Sequence, residues 1–323
     1  MKYFLTGVTG FIGFRLALRL LELGHEVSGL VRRPELAGNL QERGVKLIPG
    51  DITDPESMRN GMEGVDGIFH LAAWYRLGAR DVTPAYRTNV EGTRNVLSLM
   101  QELSIPKGVY TSSLAVFSDT RGLLVNEEYF FNGPHLSDYD RTKWLSHYEI
   151  ALPMMKKGLP LVIVQPGAVY GPGDNSALGN CLKQYVQGKL RMVPKGMAVC
   201  WAYIDDIVEA HILAMERGRA GESYIIAGPC HSLETVLAYG KKITGIDPPR
   251  WRLSPALMLN IAGIMKYIEK VIPIPLLLRS EVLRITAGVS YMGNSAKAEK
   301  ELGCCFRSLE EGLILTFMAL LNE

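Results

Sequence analysis

Short β-rich runs alternate with stretches of helical period through the first half of the chain. Tyr3–Leu5 reads as a strand, and Phe11–Leu23 as a helix with apolar residues at 12, 16, 17, 20 and 21, the spacing of one helical face. Glu26–Val31 reads as a second strand, with further strands at Val45–Ile48, Gly67–Leu71, Lys107–Thr111 and Leu161–Gln165. Helical stretches at Tyr86–Leu103 and Tyr139–Met155 separate them. Strands alternating with helices predict an α/β fold, a parallel sheet covered on both faces. Right-handed crossovers make that sheet doubly wound. After about residue 170 the rhythm loosens, and Gly171–Gly173, Pro194–Gly196, Gly228–Pro229 and Pro248–Pro249 punctuate smaller elements. The expected division is a core over 1–170 and a smaller C-terminal lobe over 171–323, with about 197–227 returning to the core.

Charge narrows the function classes. The 35 basic and 33 acidic residues leave a formal net charge of +2, without the concentrated positive face of a nucleic-acid binder. With 47% hydrophobic and 21% charged residues the chain can bury a large core. The five cysteines, at 181, 200, 230, 304 and 305, show no CxxC spacing, so neither a disulfide framework nor a zinc site is expected, and a reducing, cytoplasmic compartment fits. A buried apolar role is expected for Cys304-Cys305, and packing or surface roles for the histidines at 25, 70, 135, 147, 211 and 231. Met1–Leu23 is apolar but interrupted by three glycines and by Arg15 and Arg19, which favours strand and helix over a secretion signal. Leu253–Leu278, the longest remaining apolar stretch, is broken by Lys266, Glu269, Lys270, Pro273 and Pro275, so a spanning helix is not expected.

Between the first strand and first helix lies Thr6-Gly7-Val8-Thr9-Gly10-Phe11-Ile12-Gly13. Glycines there allow a tight turn and let backbone N–H groups approach a pyrophosphate, and a helix N-terminus adds unsatisfied donors. The spacing resembles the Thr-Gly-x-x-Gly-x-x-Gly pattern of the extended short-chain dehydrogenase/reductases, with a Rossmann-type core. The resemblance continues at Asp51-Ile52, His70-Leu71-Ala72-Ala73, Asn89-Val90-Glu91-Gly92-Thr93, Tyr139-x-x-x-Lys143, Pro166 to Gly173, Tyr203-Ile204-Asp205-Asp206 and Ser295-x-Lys297-Ala298. It implies that Thr6, Gly7, Thr9, Gly10, Phe11, Ile12, Gly13, Asp51, Ile52, Leu71, Ala72, Ala73, Thr111, Pro166, Gly167, Ala168 and Val169 border a nicotinamide dinucleotide, and that the protein forms a homodimer. Where the second strand ends, the chain carries Arg32-Arg33 rather than an acid. Guanidinium suits a ribose 2′-phosphate, so NADP(H) is preferred, with NAD(H) possible if another group binds the 2′-hydroxyl.

Tyr139 and Lys143 lie one helical turn apart and face the same way. A tyrosine of pKa near 10 is a poor acid–base group at neutral pH, and a neighbouring ammonium favours its phenolate. The resemblance implies that Tyr139 exchanges a proton with the substrate oxygen while Lys143 holds the nicotinamide ribose. A hydroxyl partner comes from Thr111-Ser112-Ser113, with Ser113 aligned to the family's catalytic serine and Ser112 second. Asn89 is expected to support backbone rather than to transfer protons.

The substrate is less constrained. Trp74, Tyr75, Phe117, Tyr129, Phe130, Phe131, Tyr170 and Trp201 fall on or near expected strand-end loops and suggest an apolar pocket. Arg76 and Arg80 offer a site for an anionic group. Leu253–Leu278 is expected to bury against the lobe, with capping of the site or contact with a membrane surface as alternatives. The resemblance leads to two chemistries. One is an NADP-dependent carbonyl reductase or alcohol dehydrogenase of the dihydroflavonol 4-reductase-like group, acting on a hydrophobic ketone, aldehyde or secondary alcohol. The other is a nucleotide-sugar epimerase or dehydratase that retains its cofactor; a non-catalytic NADP-sensing regulator is a minor third reading. Gln165-Pro166-Gly167 and the paired arginines favour the first.

Overall fold

The computed structural model describes every residue except Arg80 and Glu323, and Leu36 in its backbone alone. Its centre is a seven-stranded sheet built from β1 (Lys2–Thr6), β2 (Glu26–Val31), β3 (Lys46–Pro49), β4 (Gly67–His70), β5 (Gly108–Thr111), β6 (Leu161–Pro166) and Ser223–Ile226. The spatial order is Ser223–Ile226, β6, β5, β4, β1, β2, β3, every pair parallel. Strand order reverses between β1 and β4, and the crevice at the strands' carboxyl ends there is where doubly wound folds bind ligands.

Burial follows the sequence pattern. The residues of β4, β5 and β6 are buried throughout, as expected of strands covered on both faces. Helix α1 (Phe11–Glu22) buries Gly13, Leu16, Ala17 and Leu20, each leucine worth about 1.5–3 kcal/mol relative to exposure. The helix Ile204–Arg217 packs beside α1, and the following strand Ser223–Ile226 extends the sheet at β6.

Helical segments on the other face carry a feature that the apolar period does not reveal. Tyr86–Gly92 is a π-helical turn leading into Thr93–Glu102. Asp138–Trp144 likewise runs through a π-helical turn, Leu145–Ala151, into Leu152–Lys156. The two π turns meet where the Ser146 hydroxyl donates to the Asn89 carbonyl at 2.6 Å. Such bulges re-aim side chains and often sit at functional sites.

The later segments form a small mixed sheet in which Ala198–Tyr203 pairs with Ala168–Tyr170, Cys230–Ser232 and Ser290–Tyr291. Three expectations need correction here. Cys200 and Cys230 stand opposite each other in the antiparallel pair Ala198–Tyr203 and Cys230–Ser232 and are joined as a disulfide, a pairing that their 30-residue separation concealed. Cys304 is buried but Cys305 is exposed. Leu253–Leu278 is only shallowly buried: in the helix Pro255–Ile268 just Met258 and Ala262 are fully covered, packing against Leu283 and Ala287. Among the described residues no helix is long and apolar enough to cross a membrane.

Candidate active site

The glycine-rich turn is shaped by close backbone approaches. Gly7 has a φ of +74°, and a Cβ there would lie 2.7 Å from the Ala72 nitrogen; only glycine meets both conditions without strain. A Cβ on Gly13 would collide with the Gly7 carbonyl, so this glycine lets α1 begin directly against the turn. Gly10 caps α1 with no side-chain hydrogen bond, and Thr9 and Gly10 are exposed. The first-turn N–H groups of α1 therefore point into the crevice without a capping side chain, a cradle suited to phosphate.

At the end of β2, Arg32 and Arg33 are both exposed, and neither guanidinium has a hydrogen-bond or ion-pair partner among the described residues. Asp51 is half-buried and accepts from the Thr53 amide and hydroxyl at 2.9 and 2.8 Å through one carboxylate oxygen, leaving the other outside that turn. Ile52 is buried beneath Gly92, where a Cβ would sit 2.5 Å from it, so only its backbone faces outward. Leu71 and Ala72 are half-buried and Ala73 is exposed at the crevice rim beyond β4. On the far side, a Cβ on Gly167 would lie 2.6 Å from the Cys200 carbonyl, which fixes the path of Pro166–Val169.

Two residues expected to border the nucleotide have their hydroxyls engaged within the protein. The Thr6 hydroxyl is buried, bonded to His70 Nδ1 at 2.7 Å and accepting from the Ala72 amide at 3.2 Å; it ties β1 to β4. The Thr111 hydroxyl pairs with His211 Nε2 at 2.9 Å, beneath the sheet's end. His70, His147 and His211 are all buried, and burial pushes their pKa values down to about 3, 3 and 4, so they serve as neutral hydrogen-bonding partners.

Lys143 and Tyr139 come together as the spacing required. Ser137 caps their helix by accepting from the Asp140 amide at 3.0 Å. Lys143 is 2% exposed; its Nζ donates to the Thr111 carbonyl at 2.8 Å and to the Tyr110 hydroxyl at 3.1 Å. Burial lowers its pKa to about 8, against the opposing pull of Tyr139. The Tyr139 phenol is raised above its ordinary value by burial, while Lys143 and then the Ser113 hydroxyl pull it back down. The sequence pointed to a phenol made more acidic by its cationic neighbour; in the folded chain, desolvation is the larger effect.

Ser113 and Ser112 are separated by burial. Ser112 is buried with its hydroxyl on His147 Nδ1 at 2.9 Å. Ser113 is half-buried; its oxygen accepts from the Ala115 amide at 3.1 Å, and its hydroxyl is directed at the Tyr139 phenol. Asn89 supports backbone, as expected: its side chain accepts from the Trp74 amide at 2.6 Å and donates to the Trp74 carbonyl at 3.1 Å and the Thr142 hydroxyl at 2.9 Å.

Of the aromatics expected to line a pocket, Tyr75 packs edge-on against Tyr139 with ring centroids 4.7 Å apart. Trp74 is half-buried, and Tyr75 and Arg76 are exposed beside it. Arg80 lies outside the described residues. Phe117, Tyr170 and Trp201 are corrections: each is at most 1% exposed. Phe117 packs against Tyr129, and Trp201 lies edge-on to Tyr170 with its Nε1 donating to the His231 carbonyl. They build the core beneath the crevice because their strands and turns are covered from above.

Several site-supporting residues went unread in the sequence. The Glu281 carboxylate accepts from the Gly78 amide and, at 2.9 Å, from the Asp138 amide, joining the loop after β4 to the start of the tyrosine helix. Arg279 adds bonds to the carbonyls of Leu77 and Gly78. Asp140, buried beside Tyr139 in sequence, accepts from Ser137 at 2.8 Å and Tyr291 at 3.0 Å; burial raises its pKa to about 7. Glu281 and Arg279 stand in no motif, and only tertiary folding brings them to the crevice.

A doubly wound sheet with a glycine-lined turn and a Ser–Tyr–Lys cluster at its carboxyl end defines a nucleotide-dependent extended short-chain dehydrogenase/reductase. Residues 3–227 match the model of the NAD dependent epimerase/dehydratase family, and the chain belongs to that family. Among its relatives is a putative dihydroflavonol 4-reductase from Synechocystis sp., 32% identical over 96% of this chain and 92% of that protein. Another is sterol demethylase protein B of Methylococcus capsulatus, 30% identical over 84% of this chain and 83% of that protein. The solved structure of gox2253 superposes with a TM-score of 0.83 at 28% identity, covering 99% of this chain and 98% of that one. The fold is also that of UDP-glucuronic acid 4-epimerase from Bacillus cereus, crystallised with NAD, at a TM-score of 0.76 and 23% identity over 99% and 96% of the chains.

Proposed function

We propose that this chain is an NADP(H)-dependent oxidoreductase that interconverts an apolar ketone or aldehyde with its alcohol. The observation carrying the proposal is the meeting of Tyr139, a buried Lys143 and the Ser113 hydroxyl, which interacts with the phenol, at one crevice wall. The turn fits a dinucleotide: its tight path depends on glycine at 7 and 13, where a Cβ would strike the Ala72 and Gly7 backbone, and α1 presents uncapped N–H groups. Gly7–Gly13 would hold the pyrophosphate, Asp51 and the Ile52 backbone the adenine, Lys143 the nicotinamide ribose, and Pro166–Val169 the carboxamide. The free guanidinium groups of Arg32 and Arg33 support a 2′-phosphate over a bare hydroxyl. When bound, the nicotinamide supplies or accepts the hydride.

The chain's own groups handle the proton. Ser113 donates a hydrogen bond to the substrate oxygen and aligns it with Tyr139. In reduction Tyr139 gives its proton to that oxygen; in oxidation the phenolate takes one back. Burial keeps the phenol protonated at neutral pH, which suits the reductive direction. Lys143 offsets part of that burial in the phenolate form. In this reading residues 1–170 hold the nucleotide, and the segments after 170 shape the substrate side, apart from about 197–227.

Retention of the nucleotide for sugar epimerisation is the second reading. It requires cations for a substrate diphosphate: Arg279, which reaches the loop after β4, is engaged by the carbonyls of Leu77 and Gly78, while Arg76 on that loop is exposed and is the cation that favours this reading. The test is a panel of apolar ketones and aldehydes with NADPH and the Tyr139→Phe variant. Turnover reduced about a hundredfold or more with NADPH binding retained supports the assignment; unchanged turnover removes Tyr139 from it.

A further inference from the structure

The helix Pro255–Ile268 turns an apolar face outward. Met258 and Ala262 point inward onto Leu283 and Ala287, while Leu257 and Ile264, seven residues apart on one flank of the helix, are 46% and 62% exposed. Tyr267, Val271 and Ile272 continue the exposed surface at 69%, 82% and 51%. Exposed apolar patches of this continuity mark sites of association.

The charges around the patch indicate what covers it. Lys266 and Lys270 flank the helix one turn apart, and Arg250 and Arg252 stand at its approach on either side of Trp251, which is 75% exposed. Lys266, Lys270 and Arg252 have no ion-pair partner among the described residues, while Arg250 attracts Asp247, which is itself paired with Lys241 at 2.6 Å; Lys270 lies over the Tyr267 ring. Glu269, the single acid between Arg250 and Leu278, has its carboxylate on the Ser280 amide and hydroxyl at 3.0 and 2.6 Å. Apolar side chains beside unpaired cations, with tyrosine and tryptophan among them, suit the interface of an anionic bilayer.

The exposed face of the C-terminal helix Leu309–Leu321 is a useful contrast. It shows Ile314, Leu315 and Met318, but its first turn carries Glu310 and Glu311 and its last turn no base. Apolarity is shared by the two faces; the cationic border is not.

We propose that the outer face of Pro255–Ile268 and the following turn to Ile272 dock this protein on anionic lipid surfaces. The docked face joins the crevice through one short path. Met258 and Ala262 pack on the helix Ser280–Thr286, whose Glu281 holds the Gly78 and Asp138 amides. This deepens the reductase reading by assigning it substrates that partition into bilayers, but docking itself is measured without turnover.

The experiment is co-sedimentation of the full chain with vesicles of phosphatidylcholine alone or mixed with phosphatidylglycerol, at low and high salt. Binding to the anionic vesicles should exceed that to the neutral ones about tenfold or more and weaken with salt. The double variant Ile264→Asp, Val271→Asp should lose it, while Met318→Asp on the C-terminal helix keeps it. No binding to anionic vesicles, or equal loss in Met318→Asp, overturns the proposal. So does a fall in oligomer size for the lipid-free double variant without any vesicle binding by the parent, which would assign the face to a second copy. If docking fails while NADPH-linked reduction holds, this inference falls alone; if docking holds without reduction, the reductase reading falls alone.

Discussion

Replacing Lys143 with Met removes a buried cation that acts on the Tyr139 phenol and keeps a side chain of similar length. An opposite charge at such a site shifts a neighbour's pKa by about 1–3 units, and each unit is about 1.4 kcal/mol. Without Lys143 the phenol should rise further by that amount. Alcohol oxidation with NADP+, whose rate follows the phenolate fraction, should then fall about 10- to 1,000-fold near pH 8. Stability should change less. The Thr111 carbonyl and Tyr110 hydroxyl lose a donor, at about 1–3 kcal/mol, but the variant no longer buries an ammonium whose pKa is forced down to about 8. The assay is the pH profile of kcat for oxidation, with the NADP+ KM followed separately because the proposed role of Lys143 includes holding the ribose. The ascending limb should move to higher pH by at least about one unit. Superimposable profiles for the parent and Lys143→Met would refute the electrostatic role, whatever happens to KM.

Arg32→Asp should raise the KM for NADPH about tenfold or more and leave that for NADH unchanged or lower; steady-state kinetics with both nucleotides decide it, and equal effects would remove the 2′-phosphate argument. Asp140→Asn addresses a buried carboxyl whose pKa is raised from 3.8 to about 7. A raised folded-state value means that its contribution to stability is intact below about pH 4 and is lost as pH climbs toward 7. The upper limit is about 4 kcal/mol, so the variant should melt higher than the parent at pH 8, with the gain gone by about pH 4; a constant difference across that range would contradict the assignment. Gly13→Ala should abolish nucleotide binding measured by calorimetry or unfold the N-terminal core, because its Cβ has no space against the Gly7 carbonyl.

Most of the sheet was legible because buried parallel strands are continuous β-rich runs bounded by glycine and polar turns: Glu26–Val31 agrees at both ends and the five other expected strands within one residue. The edge strand Ser223–Ile226 was expected only as part of a segment returning to the core. The chemistry was legible where local geometry carries it, as in the glycine turn and the single helical turn between Tyr139 and Lys143. Other features depend on contacts distant in sequence. The π turns have no residue signature; they arise where two helices cross at Asn89 and Ser146. Burial of Phe117, Tyr170 and Trp201 depends on what folds over their turns, and an aromatic near a strand end looks the same whether it lines a pocket or fills a core. Thr6 and Thr111 sit at strand ends as the resemblance implies, yet their hydroxyls meet histidines from other segments. The net rise in the Tyr139 pKa comes from desolvation, which residue spacing does not report.

The most direct measurement is absorbance at 340 nm for nucleotide-stripped protein mixed with NADPH and an apolar ketone, with product alcohol quantified alongside. The account predicts loss of one NADPH per alcohol formed, and a rate about a hundredfold or more lower in Tyr139→Phe. Tightly retained nucleotide, an unchanging absorbance and interconversion of nucleotide sugars would contradict it.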